Sequence, residues 1–234
     1  MTSGRSRWAV LWLVLVLPAC TVPGAHRERT LPAPDGPDLS DTAAKRDDVH
    51  LSLIRDMIAS RQYYAALAHI QAQQAAVGAD NPELKLLEAD TRRNLGEYGR
   101  AEALYKALLK GALRGHALHG LGLLRAHEGN LGQAIADLRQ AAQALPTDVD
   151  VRNDYGYALM QSGDYASAFP QLSTAAELAP RERRSRRNLV ILMYLMNRPT
   201  DAQQLATRSG LDGTQLQQLQ QQARVMQNQK HTTD

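Results

Sequence analysis

The stretch GHALHGLGLLRAHEGNLGQAIADLRQAAQALPTDVDVRNDYGYALMQSGDYASAFPQLSTAAELAP occupies residues 115–180 and holds two copies of one pattern. The first copy reads Leu121, Gly122, Gly129, Leu131, Ala134, Leu138, Ala141 and Pro146. The second reads Tyr155, Gly156, Gly163, Tyr165, Ala168, Leu172, Ala175 and Pro180. Equivalent residues stand 34 positions apart. The first half of each copy is apolar at helical spacing, as in Leu118, Leu121 and Leu124, or Tyr155 and Leu159. Gly129 and Gly163 then break the helix and supply the permissive backbone of a tight turn. Ala134, Leu138, Ala141 and Leu145 form one face of a second helix, as do Ala168, Leu172, Ala175 and Leu178. The alanines let two antiparallel helices approach closely. Pro146 and Pro180 close the second helix.

A period of this length, with small residues at fixed places and a closing Pro, resembles the tetratricopeptide repeat. The resemblance implies an all-α solenoid. Counting outward adds further units. Gly96, Tyr98 and Ala101 precede Gly129, Leu131 and Ala134 by 33 residues, which places a unit at about 82–114. Tyr63, Ala66 and Ile70 mark a degenerate unit at about 47–80, with Leu51, Leu53, Ile54, Met57 and Ile58 on its first helix. Asn197 and Ala202 follow Gly163 and Ala168 by 34 and mark a fifth unit at about 183–210. Asp212 then caps a last, Gln-rich helix striped by Leu216, Leu219, Ala223 and Met226. Such a helix fits a terminal cap; a dimerisation helix carries a similar stripe. The expected solenoid covers 47–228, and residues 229–234 read as a frayed tail.

The start of the chain reads as an export signal over residues 1–19. Arg5 and Arg7 precede the apolar run Trp8 to Leu17, which is too short to span a bilayer as a helix. The run ends in Leu17-Pro18-Ala19-Cys20, which resembles a bacterial lipobox and implies acylation of Cys20. Cys20 is the one cysteine of the chain, so no internal disulfide can form. Thr21 follows it where an Asp would imply inner-membrane retention, so outer-membrane anchoring facing the periplasm is expected. Residues 20–46 hold Pro23, Gly24, Pro32, Pro34, Gly36 and Pro37 and read as a lipidated tether. A flexible coil of that length reaches roughly 25–30 Å. The chain has 27 Lys and Arg against 24 Asp and Glu. Losing Arg5 and Arg7 with the signal leaves it nearly neutral, so attachment rests on acyl chains rather than charge. No drive toward nucleic acid follows.

No catalytic pattern stands out: there is no Gly-rich phosphate loop, nucleophile elbow or HExxH helix. His116, His119 and His127 share one unit but have no nearby acidic or Cys ligand at zinc spacing, so neither metal nor cofactor is expected. Arg181, Arg183, Arg184, Arg186 and Arg187 form the densest basic run, at a helix start where positive charge opposes the macrodipole. The repeat family's groove positions, carried over by register, fall on Glu83, Leu86, Asp90, Arg93 and Asn94. They continue through His116, His119, Leu123 and His127, then Asp150, Asn153, Tyr157, Met160 and Gln161, then Arg184, Arg187, Ile191, Tyr194 and Leu195. A mix of apolar and amide side chains suits a peptide partner. The sharpest partner-binding candidates are Asn153, Tyr157, His119, Leu123, Arg187 and Tyr194.

A lipobox, a Pro-rich tether and helical repeats together resemble the TadD lipoproteins of the tight-adherence (Flp) pilus system. The run Arg152-Asn153-Asp154-Tyr155-Gly156-Tyr157, Ala168 and Arg187-Asn188-Leu189 carry the likeness. It implies a non-catalytic, pilotin-like role in secretin assembly at the outer membrane. Type IVa pilus pilotins share the layout. A periplasmic adaptor regulating peptidoglycan enzymes is the reading from a different class.

Overall fold

The structure is a computed structural model and describes residues 39–231, with side chains from 48 to 229. The expected signal at 1–19, the expected acylation at Cys20 and most of the expected tether lie outside the described residues. Eleven helices and no strand occur among the described residues. They form five antiparallel pairs and a final helix: α1 (Leu39–Ala59) with α2 (Tyr63–Val77), α3 (Pro82–Asn94) with α4 (Tyr98–Leu108), and α5 (Arg114–His127) with α6 (Leu131–Ala144). Then come α7 (Val149–Ser162) with α8 (Tyr165–Leu178), α9 (Arg183–Leu195) with α10 (Pro199–Arg208), and α11 (Gly213–His231). The expected all-α solenoid of about five helix pairs is what forms. Two boundaries differ from the sequence reading. The first helix begins at Leu39, inside the stretch expected as tether, and the last helix runs on to His231. No helix among the described residues is long and apolar enough to cross a membrane.

The turn inside each pair has one geometry. Gly96, Gly129 and Gly163 take φ of 80°, 80° and 83°. In the first and last units the same place is held by Arg61 and Asn197, at φ 60° and 58°. A left-handed residue closes the first helix by returning its amide to the last turn, as Gly163 does to Met160. Several helix starts are capped by side chains, though those of α2, α4, α5 and α10 are not. Asn81 Oδ1 accepts from Glu83 and Leu84 at 2.9 and 3.1 Å, with Pro82 in the first turn. Asp148 Oδ1 accepts from Val151 and Asp164 Oδ1 from Ser167.

Close approach within a pair depends on small residues. Ala66, Ala101, Ala134, Ala168 and Ala202, the repeat alanine of each unit, are all fully buried. Opposite them, glycine makes room for leucine. A Cβ on Gly122 would stand 2.6 Å from Leu138 Cγ, and one on Gly156 would stand 2.7 Å from Leu172 Cγ. Both leucines are almost fully buried, which is worth ~1.5–3 kcal/mol each. The unit of α3 and α4 departs from this rule. Tyr105 takes the leucine's place, and Gly120 of the next unit accommodates its ring: a Cβ there would fall 2.2 Å from Tyr105 Cζ.

Each second helix packs on the first helix of the following unit, and the first helices α3, α5, α7 and α9 also touch in succession. The first helices therefore line one continuous face. α11 breaks the sequence. It packs on α9, the first helix of the last unit, through Leu219 and Ala223, with Leu216 and Met226 half-buried beside them. Asp212 and Gln215 cap its start reciprocally, at 2.8 and 3.2 Å.

Candidate functional site

The face of the first helices falls into two parts. The amino-terminal part holds a cavity of about 260 Å³ lined by Ile58, Asp90, Arg93, Asn94, His116, His119, Leu123, Asp148 and Asp150. Charges of both signs meet there. Behind this wall, Tyr105 donates its hydroxyl hydrogen to Asp90 Oδ1 at 2.6 Å, and Arg93 Nε donates back to the hydroxyl at 3.3 Å. Burial pushes the Asp90 carboxyl up, against the hydrogen bond from Tyr105 and the charge of Arg93. Burial likewise pushes the Tyr105 phenol well above its ordinary value, so it remains a donor.

Asp154 ties three consecutive first helices together. His119 Nε2 of α5 lies 2.8 Å from its Oδ2, and Arg184 of α9 approaches its Oδ1 at 3.6 Å. Arg184 also donates to Asp150 at 2.6 Å. Burial works against the Asp154 carboxylate, but the His119 hydrogen bond and the charges of His119 and Arg184 outweigh it. Its carboxyl is held below the usual range.

The structure sorts the candidates read from sequence. His119 and Leu123 line the open cavity. His127 does not join them; its ring packs on Tyr98 with centroids 4.6 Å apart. Asn153 is a correction. It is 1% exposed, its carbonyl accepts from Asn188 at 2.8 Å, and its amide donates to Asp154 at 3.0 Å. It braces α7 against α9 instead of facing a partner. Ile191, Met160 and Leu195 are buried core. Tyr194 is half-buried against that core, and Arg187 is exposed on α9.

Tyr157 belongs to the other part of the face. It borders a cavity of about 610 Å³ with Ala126, Gly129, Leu131, Met160 and Gln161 on one side and Gln222, Val225 and Met226 of α11 on the other. No charged side chain among the described residues lines this cavity. Sequence reading counts Asp154 and Asn188 only among the residues that carry the TadD likeness, not as joints between helices, and passes over Tyr105. Tyr105 had a visible signal: it stands at the repeat's leucine place while an extra glycine, Gly120, appears in the next helix.

Comparison with known proteins agrees with this geometry. A tetratricopeptide-repeat family profile matches residues 125–168. The TPR repeat-containing protein PA4299 of Pseudomonas aeruginosa is 34% identical over 195 residues, which is 83% of this chain and 78% of that protein. Among solved structures, the thermophilic TPR protein TTC0263 of Thermus thermophilus superposes with TM-score 0.56 at 20% identity, covering 76% of this chain and 97% of that one. MamA from Desulfovibrio magneticus RS-1 superposes with TM-score 0.53 at 18% identity, covering 69% and 92%. These structures share the fold. With two repeats in register, five left-handed turns in phase and a homologue matched over most of both chains, the protein belongs to the tetratricopeptide-repeat family.

Proposed function

We propose that this protein is a non-catalytic adaptor, acylated at Cys20 and held at the periplasmic face of the outer membrane, whose first-helix face binds a segment of a pilus secretin during assembly. The observation that carries the binding part is the open cavity of about 260 Å³ between α1, α3, α5 and α7. It presents Arg93, His116 and Asp150 beside Leu123 and Ile58, which suits a peptide with both polar and apolar groups. Tetratricopeptide-repeat proteins are generally scaffolds of this kind. The pilotin-like part rests on the lipobox-like Leu17-Pro18-Ala19-Cys20, the Pro-rich stretch behind it and the likeness to TadD lipoproteins. Acyl anchoring would raise the protein's effective concentration near a membrane-bound client.

The test is capture of the pilus secretin encoded by the same genome, using wild type and the double variant His116→Ala with Leu123→Ala. Both residues line the cavity, and neither is fully buried. Wild type should retain the secretin; the variant should lose about 1–2 kcal/mol of affinity with an unchanged melting temperature. Capture of a peptidoglycan enzyme in place of the secretin favours the adaptor reading. Cys20→Ser should move the protein out of the outer-membrane fraction. A variant that fractionates like wild type overturns the anchor.

A further inference from the structure

α11 closes the last unit but packs differently from the helices that follow the earlier units. Each unit after the first begins with a helix packed both on its own partner and on the second helix of the unit before it. α11 packs on α9 instead, a first helix. Along its carboxyl-terminal half, Val225 and Met226 share one cavity with Tyr157 and Met160 of α7 and with Ala126 and Gly129 at the end of α5. Those residues come from units three and four, so α11 lies across the first-helix face rather than beyond the end of the stack. α10 presents Thr200, Gln203, Gln204, Thr207 and Arg208 along one exposed polar surface, while α11 covers the apolar side of α9.

The seat is filled loosely. Leu219 and Ala223 are buried, Leu216 and Met226 only half so, and Val225 remains 44% exposed. The cavity of about 610 Å³ lies beneath the far half of the helix. Among the described residues its lining is free of formal charge. From Gly213 to Gln227, α11 carries one charged residue, Arg224.

We propose that α11 is a resident stand-in for a partner's helix. The partner is an amphipathic helix with large apolar residues at the spacing of Leu216, Leu219, Ala223 and Met226 and an uncharged, amide-rich polar face. It binds by replacing α11, and its larger side chains fill the cavity that Val225 and Met226 leave. The charge-free lining selects against helices with acidic or basic stripes, because an ion there would lose water without gaining a partner. A tethered helix competes at an effective concentration of order millimolar. While it is docked, it lowers the apparent affinity of any replacement by the fraction of time the seat is free. The exchange rests on the reading that this face binds protein partners, and it requires no particular pilus system.

The test uses the full chain and a labelled synthetic peptide of residues 213–231. Leu219→Glu with Ala223→Glu in the full chain undocks α11 and vacates the seat. The peptide should then bind this variant at least tenfold more tightly than wild type, and a peptide carrying the same two substitutions should not bind. Equal binding to both chains, or none to either, overturns the proposal. A second measurement needs no variant. In wild type, amide hydrogens of residues 216–227 should exchange at least tenfold faster than those of 189–195, because α11 opens while α9 stays packed. Equal protection of both helices overturns the proposal even if the variant misfolds. Failure of secretin capture with success of the peptide test discards the client and keeps the exchange.

Discussion

His119 Nε2 stands 2.8 Å from Asp154 Oδ2, across 35 residues of sequence and from one repeat to the next. The contact holds the Asp154 carboxyl below its ordinary range, despite a burial effect in the opposite direction. A carboxylate whose folded pKa is depressed stabilises fully above its unfolded value, ~3.9, and that stability is lost as pH falls through the folded value. Asp154→Asn should therefore destabilise at pH 7 by about 1–3 kcal/mol. The difference from wild type should shrink once the pH drops below the ordinary carboxylate range. Thermal melts at neutral and strongly acid pH check this; a gap that does not change with pH would mean that the charge is not what matters.

Glycines in this chain divide into two kinds with opposite predictions. Gly156→Ala drives a methyl group to 2.7 Å from Leu172 Cγ and 3.2 Å from Gln171 Cβ. It should cost about 1–3 kcal/mol. Gly132, on exposed α6 surface, has nothing within 4 Å of a built Cβ. Gly132→Ala should stabilise by about 0.5–1 kcal/mol. Denaturant midpoints that shift in the same direction for both would contradict the packing.

Ala168 is fully buried between α8 and the helices it faces. Ala168→Leu should destabilise by about 1–3 kcal/mol through overpacking. Ala166→Leu, two residues earlier and exposed, should leave the melting temperature within a degree or two. Similar losses at both positions would place the inter-helix contact elsewhere.

Tyr105→Phe keeps the ring that fills the space at Gly120 but removes the hydroxyl that Asp90 accepts from at 2.6 Å. The carboxyl of Asp90 is then left in a buried wall with one partner fewer. A loss of about 1–3 kcal/mol follows, measurable by urea unfolding. A neutral result would show that water replaces the hydroxyl there.

The repeat geometry was legible because it depends on residue size at fixed intervals. Gly129 and Gly163 announced the turns, and Asn197 stood in phase where a left-handed turn does recur. Ala66, Ala101, Ala134, Ala168 and Ala202 announced the tight contacts. The polar wall was less legible. Register alone could place Asn153 on a first helix but not show that Asn188, 35 residues on, reaches back to it. His127 shares a helix with His116 and His119, yet Tyr98 on α4 draws its ring aside. The stripe of α11 was visible, but a stripe states only that a helix buries one side. Which surface receives it depends on α10 already being polar outward, a property of two elements together.

The two parts of the first-helix face should respond differently to ionic strength. Asp90, Arg93, Asp148 and Asp150 surround the open cavity, whereas no charge among the described residues borders the cavity under α11. The screening length falls from about 10 Å at 0.1 M salt to about 3 Å at 1 M. Added salt should loosen whatever is held at the open end and leave a helix in the seat of α11 as firmly held as before. The slope of affinity against salt would thus report which end of the face a client has engaged.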